Sequence, residues 1–193
     1  MIRDFILLDL DGTIIDSYHS TLSAIEQSIA DLDLPVPYEL YQQKEVGQMM
    51  SVIERNLPHT VPFHSFKSRF DSCLRRNPLE GVKVTLEGKH LLSVLKEQGY
   101  KLVVLTNKRQ DTAEIICSSL FPEGTFVSVV GRKTLQPLKP TIQVVEELAK
   151  IGVTASQIKC MIGDSEKDKL TASILNIEYK SITNVIESLP GFS

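Results

Sequence analysis

From residue 82 onward the sequence alternates between two kinds of segment. Short apolar runs rich in β-branched residues are "YKLVVLTN" (100–107), "TFVSVVG" (125–131), "IKCMIGDS" (158–165) and the weaker "IEYKSIT" (177–183). The first three are near-continuously apolar through their centres and end in polar residues or glycine, Thr106 and Asn107, Gly131, and Gly163 and Asp164. Half-exposed strands alternate apolar and polar residues, whereas near-continuous apolar runs suit parallel strands covered on both faces. Helical periodicity fills the spaces between them. "TLEGKHLLSVLKEQG" (85–99) repeats Leu91, Leu92 and Leu95 and stops at Gly99. "DTAEIICSSL" (111–120) opens on Asp111 as a capping residue, and "EKDKLTASILN" (166–176) is a shorter helix. "PTIQVVEELAKIG" (140–152) carries Pro140 in its first turn and stops at Gly152. Alternation of this kind predicts an α/β fold with a doubly wound parallel sheet.

The first strand stands apart from the others. Phe5, Ile6, Leu7 and Leu8 form an apolar run that ends in "DLDGT" (9–13). The segment from 16 to 81 then interrupts the alternation with three helical patterns, Pro35, Pro37, Pro58 and Pro62, and no convincing strand. The expected organisation is a core of residues 1–15 and 82–193, with an all-helical cap, 16–81, inserted after the first strand.

A net charge of −3 and a pI of about 5.8 give no basic footprint, so nucleic acid is not an expected partner. No apolar run approaches the length of a membrane span, and Asp4 and Asp9 interrupt the region where a signal peptide would place its apolar stretch. Cys73, Cys117 and Cys160 are widely spaced and form no CxxC pair. They read as reduced thiols of a cytoplasmic protein rather than a metal site. His19, His59, His64 and His90 show no ligand spacing. The expected assembly is a monomer or homodimer.

In an open α/β sheet, ligands bind beyond the carboxyl ends of the strands. Asp9, Asp11, Thr13, Thr106, Asn107, Asp164, Ser165 and Asp168 collect at those ends, and Lys139 precedes the expected helix start at Pro140. Isolated carboxylates are costly to bury without partners. The mixture suits a phosphate monoester and Mg²⁺, which takes oxygen ligands and is shared between carboxylates and phosphate. Lysine and hydroxyl donors would hold phosphoryl oxygens, and a carboxylate can itself be the nucleophile.

"DLDGT" (9–13), "LTN" (105–107), "LKP" (138–140) and "GDSEKD" (163–168) resemble, in order, the four motifs of the haloacid dehalogenase superfamily. The resemblance spans both ends of the core and leaves the inserted segment unmatched; it implies a Rossmann-like core with a helical cap. It implies Asp9 as the phosphoryl-accepting nucleophile and Mg²⁺ ligand, and Asp11 as general acid and base, with its main-chain carbonyl on the metal. Thr106 and the backbone of Asn107 are implied as phosphoryl donors, Lys139 as the neutralising cation and Asp164 as a metal ligand. Asp168 is implied as a water-mediated ligand or an orienter of Lys139. Thr-Asn-Lys at 106–108 resembles the phosphoglycolate phosphatase branch, although relatives often carry glycine where this chain has Asn176.

The implied activity is Mg²⁺-dependent hydrolysis of a small phosphorylated metabolite through an aspartyl phosphate. A phosphomutase is the alternative within enzymes, and a non-catalytic binding protein on the same fold is the alternative outside them. Lys108 and Arg109 are candidates for reaching a substrate carboxylate.

Overall fold

The computed structural model describes residues 4–43 and 46–188. The chain divides into two compact units, one comprising the residues up to Asp16 together with those from Val84 onward, the other Ser17–Lys83.

Strand β1 (Phe5–Leu8) is buried at all four positions, as its uninterrupted apolar run requires. A tight turn follows, in which Gly12 N–H donates to the Ile15 carbonyl at 2.9 Å, and β2 (Ile15–Asp16) leaves it.

The Ser17–Lys83 unit holds α1 (Tyr18–Ala30), a 3-10 turn (Tyr38–Gln42), α2 (Val46–Asn56) and α3 (Phe63–Arg76). Pro37 and Pro62 stand immediately before the 3-10 turn and α3, where the missing N–H costs least. Ile25, Ile29, Leu40, Met49, Ile53 and Phe66 share one apolar core. Phe66 stacks on Phe63 and Phe70 with ring centroids 6.0 and 6.2 Å apart. Met49 is fully buried in that core.

The chain then forms β3 (Lys83–Val84), which pairs with β2, and α4 (Leu86–Glu97). Thr85 caps α4 by accepting the Gly88 N–H at 2.9 Å. There follow β4 (Lys101–Arg109), α5 (Gln110–Leu120), β5 (Ser128–Arg132) and α6 (Gln143–Lys150). The chain continues with β6 (Ile158–Gly163), α7 (Glu166–Leu175), β7 (Glu178–Ser181) and α8 (Ile182–Glu187). The sheet order β5-β4-β1-β6-β7, with every pairing parallel, is doubly wound with β1 at the centre. Leu7, Val103, Leu105, Val130, Met161 and Leu175 belong to one core cluster of this unit.

Three local expectations are corrected. Helix α6 begins at Gln143, so Lys139 does not stand at a helix N-terminus. Helix α5 begins at Gln110, and Asp111, inside its first turn, ion-pairs with Arg109 at 3.0 Å. The last run is a strand only to Ser181, beyond which α8 takes over. Asn176 closes α7 in the left-handed region, at φ 52°. Asparagine tolerates that conformation, which accounts for its standing where glycine is common.

Candidate active site

Register assembles the site. Leu8 at the end of β1 pairs with Val104 of β4 on one side and Ile162 of β6 on the other. Asp9 continues β1 by one residue and donates its N–H to the Ile162 carbonyl at 2.9 Å. Thr106 and Asp164 each lie two residues beyond the partners of Leu8. Asp9, Thr106 and Asp164 thus lie side by side at the carboxyl edge, where β1 and β6 end and β4 runs on to Arg109.

A buried cluster sits there. Asp9 Oδ1 accepts the Leu10 N–H at 2.7 Å and lies 2.8 Å from Lys139 Nζ. The same ammonium donates to Asp168 Oδ1 at 2.6 Å. Asp168 Oδ2 in turn accepts from the Ser165 N–H at 3.1 Å and the Ser165 hydroxyl at 2.6 Å. Ser165 therefore caps α7, as its position suggests, and Asp168 both completes the cap and orients Lys139. Lys139 and Asp168 are 2% and 0% exposed, which forces the charges to find one another.

The electrostatics follow from that burial. Burial pulls the Lys139 ammonium down, but Asp9 and Asp168 outweigh it and hold it above its ordinary range. Burial, reinforced by Asp168 and Asp164 and opposed by Lys139, pushes the Asp9 carboxyl up to about 8. One lysine thus faces three carboxylates, and the cluster carries surplus negative charge.

A divalent cation fits that surplus. Side-chain oxygens of Asp9, Asp164 and Asp168 lie within 4.8 Å of one another. Asp164 packs onto backbone: a Cβ on Gly12, whose φ is +76°, would meet Asp164 Oδ2 at 2.1 Å. Gly12 is thus required by both its conformation and the carboxylate it admits. Because Lys139 and Ser165 engage both oxygens of Asp168, Asp9 and Asp164 are the better-disposed carboxylate ligands.

The β4 tip supplies the remaining groups. Thr106 is buried, and its hydroxyl oxygen accepts the Lys108 N–H at 3.1 Å. The Asn107 side chain grips the loop that carries Lys139: its Oδ1 accepts the Leu138 and Lys139 N–H groups, each at 2.8 Å, and its amide donates to the Lys139 carbonyl at 2.9 Å. This clamp places Lys139 in the absence of a helix start at Pro140. Sequence reasoning missed the next link, buried Arg132, which donates to the Asn107 carbonyl at 2.7 Å and the Thr134 carbonyl at 2.6 Å. Arg132 ends β5 one residue past the expected end of that run, and the strand-tip rule would have marked it.

Lys108 lies 3.0 Å from Asp11. Thr13 is buried, and among the described residues its hydroxyl has no hydrogen-bond partner. Cys73, Cys117 and Cys160 are free thiols. Among the described residues, no helix is long and apolar enough to cross a membrane.

A family model described as haloacid dehalogenase-like hydrolase matches residues 6–182. The chain belongs to the haloacid dehalogenase-like hydrolases. It is 29% identical over 167 residues to a phosphoglycolate phosphatase of Aquifex aeolicus, covering 84% of this chain and 76% of that one. It is 28% identical over 196 residues to a phosphoglycolate phosphatase of Colwellia psychrerythraea, covering 94% and 84% respectively. Among solved structures, it resembles a predicted phosphoglycolate phosphatase from Haemophilus somnus at TM-score 0.69 and 25% identity, over 91% of this chain and 83% of that one. A haloacid dehalogenase-like family protein of Streptococcus pneumoniae shares the fold at TM-score 0.74 and 21% identity, over 91% and 82%. Within the family the chain is a phosphatase, a phosphoric monoester hydrolase.

Proposed function

We propose that this haloacid dehalogenase-like hydrolase cleaves a small phosphate monoester, phosphoglycolate or a compound of that kind, with Mg²⁺ and a phosphoryl group carried on Asp9. The observation that carries the reading is the buried Asp9–Lys139–Asp168 cluster with Asp164 seated against Gly12. Four charged side chains held at one strand edge have no purpose in packing, and pairs of this kind are poor stabilisers.

Each residue then has a task. Asp9, fixed through Oδ1 by Leu10 and Lys139, presents Oδ2 for attack on phosphorus. Asp164 and Asp9, with the main-chain carbonyl of Asp11, would hold the Mg²⁺, which supplies positive charge against the phosphoryl oxygens. Lys139 offsets the charge of Asp9 and of the phosphoryl group. The Thr106 hydroxyl and the Asn107 N–H donate to phosphoryl oxygens. Asp11 gives a proton to the departing alkoxide and then takes one from the water that hydrolyses the aspartyl phosphate.

The substrate assignment rests on the names of the relatives, together with the Thr106-Asn107-Lys108 sequence. The helical segment 17–83 is read as the cap that sets specificity. Free, largely buried thiols agree with a reducing compartment such as the cytoplasm.

A panel of phosphorylated two- and three-carbon acids and sugar phosphates tests this, with phosphate release measured with Mg²⁺ and with excess chelator. The expected result is release with Mg²⁺ alone, fastest on a phosphorylated hydroxy acid. Undiminished turnover in chelator would contradict the metal requirement, and transfer to a sugar without phosphate release would make the protein a phosphomutase.

A further inference from the structure

Lys108 is a buried cation to which the phosphoryl-transfer scheme gives no task. It lies in β4 two residues after Thr106, in the stretch between Leu105 and Arg109 where the pairing with β5 is irregular, and both are buried while Asn107 between them grips the Leu138–Lys139 backbone. The Thr106 hydroxyl accepts the Lys108 N–H, which ties the two residues locally. The Lys108 side chain is 5% exposed and its ammonium is 3.0 Å from Asp11 Oδ1, in a side chain 16% exposed. An ammonium so buried is held there by its partner, and the pair orders both side chains. The two carboxylates of "DLDGT" are thereby served by different lysines. Lys139, from the loop before α6, holds Asp9 and Asp168, while Lys108, from the β4 tip, reaches Asp11.

We infer that Lys108 is a positioning residue for Asp11: its ammonium donates to Oδ1 and fixes the carboxyl so that Oδ2 carries the proton given to the leaving oxygen and, once ionised, takes one from the attacking water. This rests on the reading of Asp11 as the proton-transfer group. Asp11 lies three residues past the end of β1 and immediately before the turn at Gly12, so the backbone alone leaves its short side chain a choice of rotamers. A contact from another strand selects one. The contact matters because proton transfer needs hydrogen-bond reach, and a misplacement of about 1 Å costs on the order of 10²-fold.

The test measures single-turnover phosphoryl transfer with saturating Mg²⁺ on an alkyl phosphate and on p-nitrophenyl phosphate, whose leaving group needs little protonation. Lys108→Met keeps the length of the side chain without its charge, Lys108→Gln keeps a donor should the first variant fold poorly, and Lys108→Arg restores the cation. The expected result for Lys108→Met or Lys108→Gln is a loss of about 10- to 100-fold on the alkyl ester and only a few-fold on the aryl ester. Lys108→Arg should recover part of it. In an Asp11→Asn background, removing Lys108 should add less than about 3-fold, because the group it positions is already disabled.

Equal losses on both esters, a loss that multiplies fully with Asp11→Asn, or a rise in KM confined to carboxylate-bearing substrates would overturn the inference. The last outcome would make Lys108 a substrate-binding residue instead. Asp11→Asn alone separates the two levels. If it lacks the alkyl-selective loss, the proton-transfer reading falls and this inference falls with it. If it has that loss and Lys108→Met does not, only the inference falls.

Discussion

At Asp9, the proposed nucleophile, burial works against the proposed role. A nucleophilic carboxylate must be ionised, yet burial and the neighbouring Asp168 and Asp164 hold its proton to about pH 8 in the metal-free protein. The unfolded chain releases that proton near pH 3.9. Between those values the native state binds one more proton than the unfolded state, so Asp9 makes metal-free stability fall as pH rises. Lys139, held above its ordinary range, acts only at higher pH. Thermal melts of the metal-free protein from roughly pH 5 to pH 8 should therefore show a declining midpoint, and Asp9→Asn should flatten that decline. Mg²⁺ should raise the midpoint more at the upper end of the range than at the lower, because it binds the ionised cluster. A metal-free profile indifferent to Asp9→Asn would contradict this picture.

Elements position these residues, and they differ in how plainly the sequence announces them. The strand tips were legible because β1, β4 and β6 are buried through their central positions and turn polar beyond them; Phe5–Leu8 is buried throughout, and Cys160–Gly163 is buried once β6 has passed exposed Lys159. The Thr85 cap was not singled out, since a threonine before a leucine is an ordinary pair until the Gly88 N–H is seen to reach it. Thr85→Ala should cost about 1 kcal/mol, read as a lower urea midpoint at unchanged slope, with little effect on turnover. Long-range polar contacts left no periodic trace at all. The fork of Asn107 on Leu138 and Lys139, the Arg132 brace behind it and the Lys108–Asp11 pair join residues that only the fold brings together. The start of α6 was misjudged for a related reason. Pro140 suits a first helical turn, but the Asn107 clamp holds the backbone just before it and the helix begins at Gln143.

Across the whole molecule the division of labour is uneven. Every side chain assigned to phosphoryl transfer comes from the α/β unit; the Ser17–Lys83 unit supplies a helical core built around Phe66 and Met49. That separation explains why the chemistry was readable and the substrate was not. Strand ends carry a fixed chemical order, whereas the exposed positions of α1, α2 and α3 carry no comparable pattern. The central claim is that the phosphoryl group passes through Asp9. The direct measurement is a rapid acid quench of the enzyme with a radiolabelled phosphate monoester and Mg²⁺, followed by peptide mapping. The account predicts an acid-stable label that appears within one turnover on the peptide containing Asp9 and is absent in Asp9→Asn, which releases no phosphate. Phosphate release by Asp9→Asn at a rate near that of the unmodified protein, with no label on that peptide in either, would contradict it.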